Sequence, residues 1–188
     1  MTALTTAVPW RALGAFLVVL AAQRIGELAH SARNVRSLRA RGAVEHAARH
    51  FPLLVVVHVL FPLALVAEVV WLGSRPGASW PVALGFWLAA QGLRYWAVFT
   101  LGGRWSVGVW TLPGERLVHR GPYRFLRHPN YVAVVTELVA APMMFGAWRT
   151  ALAITALNAV ALSIRIRAEE SALREAAMSR RPREHHAA

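Results

Sequence analysis

The apolar residues of this chain come in long unbroken blocks, and that leaves few ways to fold. The stretch Phe51–Leu72, "FPLLVVVHVLFPLALVAEVVWL", is far longer than a buried strand and has no polar face. A helix needs roughly 20 residues to cross about 30 Å of hydrocarbon, so blocks of this length read as membrane helices. Five segments qualify, from about Pro9 to Glu27, Phe51 to Leu72, Trp80 to Leu101, Pro129 to about Ala147, and Trp148 to about Arg167. Arg11, Gln23 and Arg24 trim the first, and only "FGAW" separates the last two, which predicts a tight helical hairpin. The expected fold is all-α, a polytopic membrane bundle of these five helices.

Composition points the same way. The 188 residues are 56% hydrophobic and 16% charged, whereas a soluble domain carries about a quarter charged residues. With no cysteine, disulfides, thiolate metal sites and a Cys nucleophile are excluded. With no Asp and no Lys, Asp-dependent metal or phosphoryl chemistry and a Schiff-base lysine are excluded as well. The Ala and Arg excess without Lys points to a GC-rich, bacterial genome. The N-terminus "MTALTTAVPWR" lacks the positive n-region of a signal peptide, so the first block is expected to remain as a helix. No repeat is visible, and a single domain over 1–178 is expected, followed by a disordered, proline-broken tail over 179–188.

Arginine placement predicts the topology. The loop Ser31–His50, the loop Gly102–His128 and the segment from Arg165 onward hold sixteen arginines, against Arg11, Arg75 and Arg149 on the other side. By the positive-inside rule the N-terminus lies outside, and the two long loops and the C-terminus are cytoplasmic, in a bacterial inner membrane. The net charge of +12 therefore does not call for nucleic acid, and no nucleic-acid motif accompanies it.

Two segments could carry chemistry. "RGPYRFLRHPNY", Arg120 to Tyr131, sits at the edge of the fourth block. His128 precedes Pro129 and is biased toward extended backbone, while Pro129 suits the first position of a helix. The first turn, Asn130 and Tyr131 onward, would offer unpaired N–H groups and a positive dipole end to an anionic or acceptor group. The plainer reading is an interfacial belt of Tyr, Arg and His. The second segment is "RIRAEESAL", Arg165 to Leu173, where Arg165 and Glu169 share a helix face and Asn158 lies on the same stripe. Glu170 with Arg174 reads as a surface ion pair.

His58, Glu68, Arg94, Glu137 and the pair Arg24 and Glu27 fall within the apolar blocks, where ionisable residues face the bundle interior in pairs. Arg94 with Glu68 or Glu137 is the expected structural pair. No second His at metal-ligand spacing accompanies His58, and neither a G-x-G-x-x-G nor a P-loop is present.

Taken in order, "LVHRGPYRFLRHPNY", about 30 apolar residues and "RIRAEESAL" resemble the isoprenylcysteine carboxyl methyltransferase family of integral membrane enzymes that use S-adenosylmethionine. The resemblance implies cofactor contacts at Leu117, Val118, Tyr123, His128, Pro129, Asn130, Tyr131 and Glu169, with Arg165 holding the methyl acceptor. It implies a cytoplasmic cofactor pocket capping the bundle, and a lipophilic acceptor arriving from membrane lipid. The pattern is most similar to bacterial members that methylate alkylpyrones or alkylresorcinols, which favours a long-chain hydroxypyrone or phenolic lipid over an isoprenylcysteine-like carboxylate. Two other readings stay open: an NADPH-dependent reductase resembling sterol reductases, and a non-catalytic scaffold whose basic loops bind anionic lipid.

Overall fold

The structure, a computed structural model, describes residues 10–46, 51–112 and 118–178. The chain runs α1 (Trp10–Ala40), β1 (Val44–His46), α2 (Phe51–Trp71), α3 (Trp80–Leu101), β2 (Val109–Thr111), α4 (Pro129–Met144) and α5 (Trp148–Met178). Two 3-10 turns, Gly102–Arg104 and Gly121–Arg124, interrupt the connection between α3 and α4. The protein is thus an all-α membrane protein with the five expected helices. Three of them, α1, α2 and α5, are long and apolar enough to cross a membrane by length and composition alone. Gln91 and Arg94 break the apolar run of α3. At 16 residues α4 rises about 24 Å, short of a full hydrocarbon core.

Two helices continue beyond their expected ends. The first was expected to stop near Glu27 and to be followed by a loop; instead α1 continues to Ala40. The fall in hydropathy after Glu27 marks where the chain can leave hydrocarbon, not where the helix stops, since neither Gly nor Pro occurs between Glu27 and Arg41. Gly42, at φ 80°, ends it. Its N–H reaches the Arg39 carbonyl and the Ala43 N–H reaches that of Leu38, both at 3.0 Å, the pairing of a Schellman cap. Likewise α5 runs past Arg167 to Met178. The short antiparallel pair of β1 and β2, with Glu45 opposite Trp110, was not foreseen.

The α4–α5 hairpin closes as "FGAW" suggests. Gly146 has φ 69°, and the Ala147 N–H reaches back to the Pro142 carbonyl at 3.0 Å. A Cβ on Gly146 would also strike the Arg75 carbonyl oxygen, so both backbone and space require glycine. The core lies between the helices: Val57, Phe61, Leu65 and Val69 form a four-residue-spaced stripe on α2, packed with residues such as Leu138 and Ile154 of α4 and α5. The outer surface exposes large apolar side chains, among them Val18, Leu63, Phe99 and Leu152, as a lipid-facing surface does.

Buried charges fix how α1, α3 and α4 meet. Glu137 accepts from Arg24 Nη2 with both oxygens at 2.7 Å, from Gln91 Nε2 at 3.2 Å and from Arg94 Nη2. Glu27 completes the group, 2.7 Å from Arg24 and 3.6 Å from Arg94. Of the two partners expected for Arg94, the structure selects Glu137. Glu68 instead lies at the opposite end of the bundle, where it accepts the Arg149 and Thr150 N–H groups at 3.2 and 2.6 Å and caps the start of α5. An acidic group there satisfies free donors and meets the positive dipole end. His58 bonds the Leu54 carbonyl one turn back, at 2.8 Å.

Candidate functional site

At the end of the bundle away from Glu68, the second half of α1 meets the α3–α4 connection and the second half of α5. Asn34 Nδ2 donates to the Gly102 and Trp105 carbonyls at 3.1 and 2.8 Å, and His30 stacks on Trp105 with ring centres 5.5 Å apart. Val107 then joins two helices: its N–H donates to Ser31 Oγ of α1 at 3.0 Å, and its carbonyl accepts from Arg165 Nη2 of α5 at 2.7 Å. Nothing in the side chain of Val107 announces this role, because a backbone carbonyl is common to every residue.

Arg165, 4% exposed, is the centre of the cluster. Its Nε donates to the Tyr131 hydroxyl at 3.3 Å, and that hydroxyl donates to Glu169 Oε2 in a short hydrogen bond. Three residues from the two sequence motifs therefore touch, brought together because the hairpin lays the first turn of α4 against the Arg165–Glu169 turn of α5. Arg165 Nη1 is buried with no partner among the described residues. A guanidinium donor buried unpaired is costly, so a site that holds one is suited to an anionic oxygen.

The other expected contacts arrange around this core. His128 stacks on Tyr131 with ring centres 5.3 Å apart, and its Nε2 stands 3.6 Å from Glu170 Oε1. Glu170 also pairs with the exposed Arg174 at 3.5 Å, the surface ion pair expected. Pro129 is buried at the first position of α4, and the Asn130 Oδ1 beside it is buried without a partner among the described residues. Tyr123 is carried in by the Gly121–Arg124 turn, which needs Gly121: φ is 58° and a Cβ there would collide with Thr100 Oγ1. Burial, reinforced by the Glu169 carboxylate, pushes the Tyr123 phenol above its ordinary range, so it stays a hydrogen-bond donor. Val118 is half-buried in the coil before that turn, outside the hydrogen-bonded cluster, and Leu117 lies outside the described residues.

The expected set of free N–H groups at the start of α4 is smaller than the sequence suggested. Both the Tyr131 and Val132 amides donate to the His128 carbonyl, at 3.1 and 3.2 Å. Proline at position 129 has no N–H, and His128, at φ −131° and ψ 66°, turns its carbonyl into the helix. Side chains rather than the helix terminus therefore dominate the chemistry here.

Against this cluster lies an open apolar groove of about 420 Å³ between α4 and α5, lined by residues that include Leu126, Val132, Val135, Leu162 and Ile166. His128 and Tyr131 line it too, so groove and polar cluster share a wall. Among the described residues no group of His, Cys, Asp and Glu could hold a metal ion.

Residues 83–175 match the Isoprenylcysteine carboxyl methyltransferase (ICMT) family, a span containing α4, the groove and the Arg165 cluster. The chain is 37% identical over 159 residues to the Bacillus subtilis (strain 168) protein YpbQ, itself uncharacterized, covering 85% of this chain and 95% of that one. It is 28% identical over 151 residues to an uncharacterized protein of Haemophilus influenzae (strain ATCC 51907 / DSM 11121 / KW20 / Rd), covering 80% and 88% of the two chains. No solved structure matches. With the motif residues converging at one end of a membrane bundle, the chain belongs to the isoprenylcysteine carboxyl methyltransferase family.

Proposed function

We propose that the protein transfers a methyl group from S-adenosylmethionine to an anionic oxygen of a lipophilic acceptor. The observation that carries this reading is the unpaired, buried Arg165 Nη1, set beside the Tyr131–Glu169 pair and next to an apolar groove. Family membership supports the donor. When bound, it supplies a sulfonium methyl whose C–S bond breaks as the C–O bond forms, sulfur keeping the electron pair and the acceptor oxygen losing its charge.

The chain's own work is then positioning. Glu169 has lone pairs left after accepting from Tyr131, and these suit hydroxyl or ammonium groups of the cofactor; Tyr123 and Asn130 add a donor and an acceptor. Arg165 holds the acceptor oxygen in its ionised form through a charge-assisted contact. Carboxylates and the acidic enol oxygens of hydroxypyrones are anionic at neutral pH, so no dedicated base is required for them; a phenolic hydroxyl, which ordinarily titrates at about 10, ionises there only with the help of the Arg165 charge. The apolar groove suits the acceptor's hydrocarbon tail, and an acceptor dissolved in the bilayer accounts for a membrane-embedded fold. A long-chain hydroxypyrone or phenolic lipid fits better than a cationic amine, which Arg165 would repel.

Titration of the purified protein with S-adenosylhomocysteine should give saturable binding, and NADPH should give none. Tyr131→Ala or Glu169→Ala should weaken that binding by about 1.5–3 kcal/mol, the worth of one hydrogen bond to a charged group. Saturable NADPH binding, or unchanged affinity in both variants, would overturn the assignment.

The site is also proposed to face the cytoplasm. Arg33, Arg36, Arg39, Arg120, Arg124 and Arg127 lie at its end of the chain's helices, while Arg75 and Arg149 lie at the Glu68 end. A reporter fused after Ala188 should read cytoplasmic and one inserted near Gly77 external. The reverse pattern would remove the cofactor supply that this reading needs.

A further inference from the structure

The part of α1 beyond Glu27 is bound along its length to the segment Gly102–Thr111. His30 stacks on Trp105, Ser31 Oγ accepts the Val107 N–H at 3.0 Å, and Asn34 Nδ2 donates to the Gly102 and Trp105 carbonyls. One turn further on, the Arg39 guanidinium lies 4.9 Å over the Trp110 ring. Ser31 and Asn34 are three apart and His30 and Asn34 four apart, so the three share one helix face. This helix lies wholly outside residues 83–175, the span shared with the family.

The segment it holds has little order of its own. Between the 3-10 turn Gly102–Arg104 and β2, residues Trp105–Gly108 belong to no helix or strand, and glycines stand at 102, 103 and 108. Glycine loses the most conformational freedom on folding, so such a backbone keeps a fixed direction only where it is bonded from outside. Ser31 is 7% exposed. Loss of its oxygen would leave the Val107 N–H with no ready substitute.

The direction of that backbone matters because the Val107 carbonyl accepts from Arg165 Nη2 at 2.7 Å. A guanidinium is planar, with its donors in a rigid fork, so two bonds decide where the third nitrogen points. One of them is Nε to the Tyr131 hydroxyl at 3.3 Å, supplied by α4. The other and shorter one is the Val107 carbonyl, held from α1. Together they aim Nη1, the buried nitrogen that has no partner among the described residues.

We infer that Ser31, with Asn34 beside it on α1, is a positioning residue: it holds the Val107 backbone whose carbonyl orients Arg165 for methyl transfer. The inference rests on the methyl transfer proposed above and extends the working parts of the site to a third helix. Its cost in rate comes through Arg165 alone, and that separates it from a general packing role.

The test measures methyl transfer by the full-length protein to a long-chain alkyl hydroxypyrone, and to a long-chain fatty acid as the carboxylate. Ser31→Ala should lower kcat by about tenfold, the upper end of what one neutral hydrogen bond contributes, with S-adenosylhomocysteine affinity unchanged. Ser31→Thr keeps the hydroxyl oxygen and should recover most of the rate. In the Arg165→Ala background Ser31→Ala should cost nothing further, because the group it orients is gone. Asn34→Ala, which frees the Gly102 and Trp105 carbonyls, gives the same comparison should Ser31→Ala fail to fold. No loss beside an intact Arg165, an equal loss in both backgrounds, or a loss of cofactor affinity in place of kcat would overturn the positioning role and leave the proposed methyl transfer standing. Wild-type protein that binds S-adenosylhomocysteine but methylates neither compound would overturn the oxygen-acceptor reading and this inference together.

Discussion

Arg165→Ala should reduce methyl transfer by a factor on the order of 10²–10³ in kcat/KM, about 3–4 kcal/mol of transition-state stabilisation. The buried guanidinium has Nε bonded to Tyr131 and Nη2 to the Val107 carbonyl, and its unpaired Nη1 is the donor proposed to meet the acceptor. Truncation loses all three, but cofactor binding should survive, because Tyr131 keeps its hydrogen bond to Glu169. S-adenosylhomocysteine affinity is therefore expected to stay within about tenfold of wild type, the upper end of what one neutral hydrogen bond contributes. Arg165→Lys should recover only part of the rate, since a point charge cannot reach Tyr131, Val107 and the acceptor in one plane. Arg167 is the control: it is exposed, on another face of α5, and Arg167→Ala should behave as wild type. An essential Arg167 beside a dispensable Arg165 would show that the active face of α5 had been misassigned.

Much of this site was legible because it depends on local period. Arg165, Glu169 and Asn158 share a face by helical spacing, and the short "FGAW" link obliges α4 and α5 to lie antiparallel, which brings Tyr131 to Arg165. The spans of α2 and α3 could be read closely because aromatic, proline and glycine residues mark their ends. The length of α1 was not legible from hydropathy, which reports the membrane boundary; the stop signal was Gly42, fifteen residues beyond Glu27. The choice of Glu137 over Glu68 as the partner of Arg94 depends on how three helices cross, and no spacing within one helix encodes that. The same holds for Val107, whose contribution is a backbone carbonyl, and for β1 and β2, whose three-residue strands are too short to show alternation.

The charge group around Glu137 should be the most sensitive point for stability, and its arithmetic makes a sharp test. Two arginines, Arg24 and Arg94, face two glutamates, Glu27 and Glu137, so the group is neutral as built. Glu137 is 2% exposed and is the one member that touches Arg24, Gln91 and Arg94 together. Glu137→Leu leaves two guanidiniums to share Glu27, with Arg94 itself only 2% exposed. Breaking a buried pair from one side typically costs about 3–5 kcal/mol, mostly through the charge left behind. The double variant Glu137→Leu with Arg94→Leu removes one charge of each sign and leaves Arg24 bonded to Glu27 at 2.7 Å. It should therefore be more stable than the single variant, and a double-mutant cycle on detergent-solubilised protein should return a coupling of about 1–3 kcal/mol. If the two substitutions instead added independently, Arg94 and Glu137 would not be acting as a pair, and the packing of α3 on α4 would owe its register to apolar contacts alone.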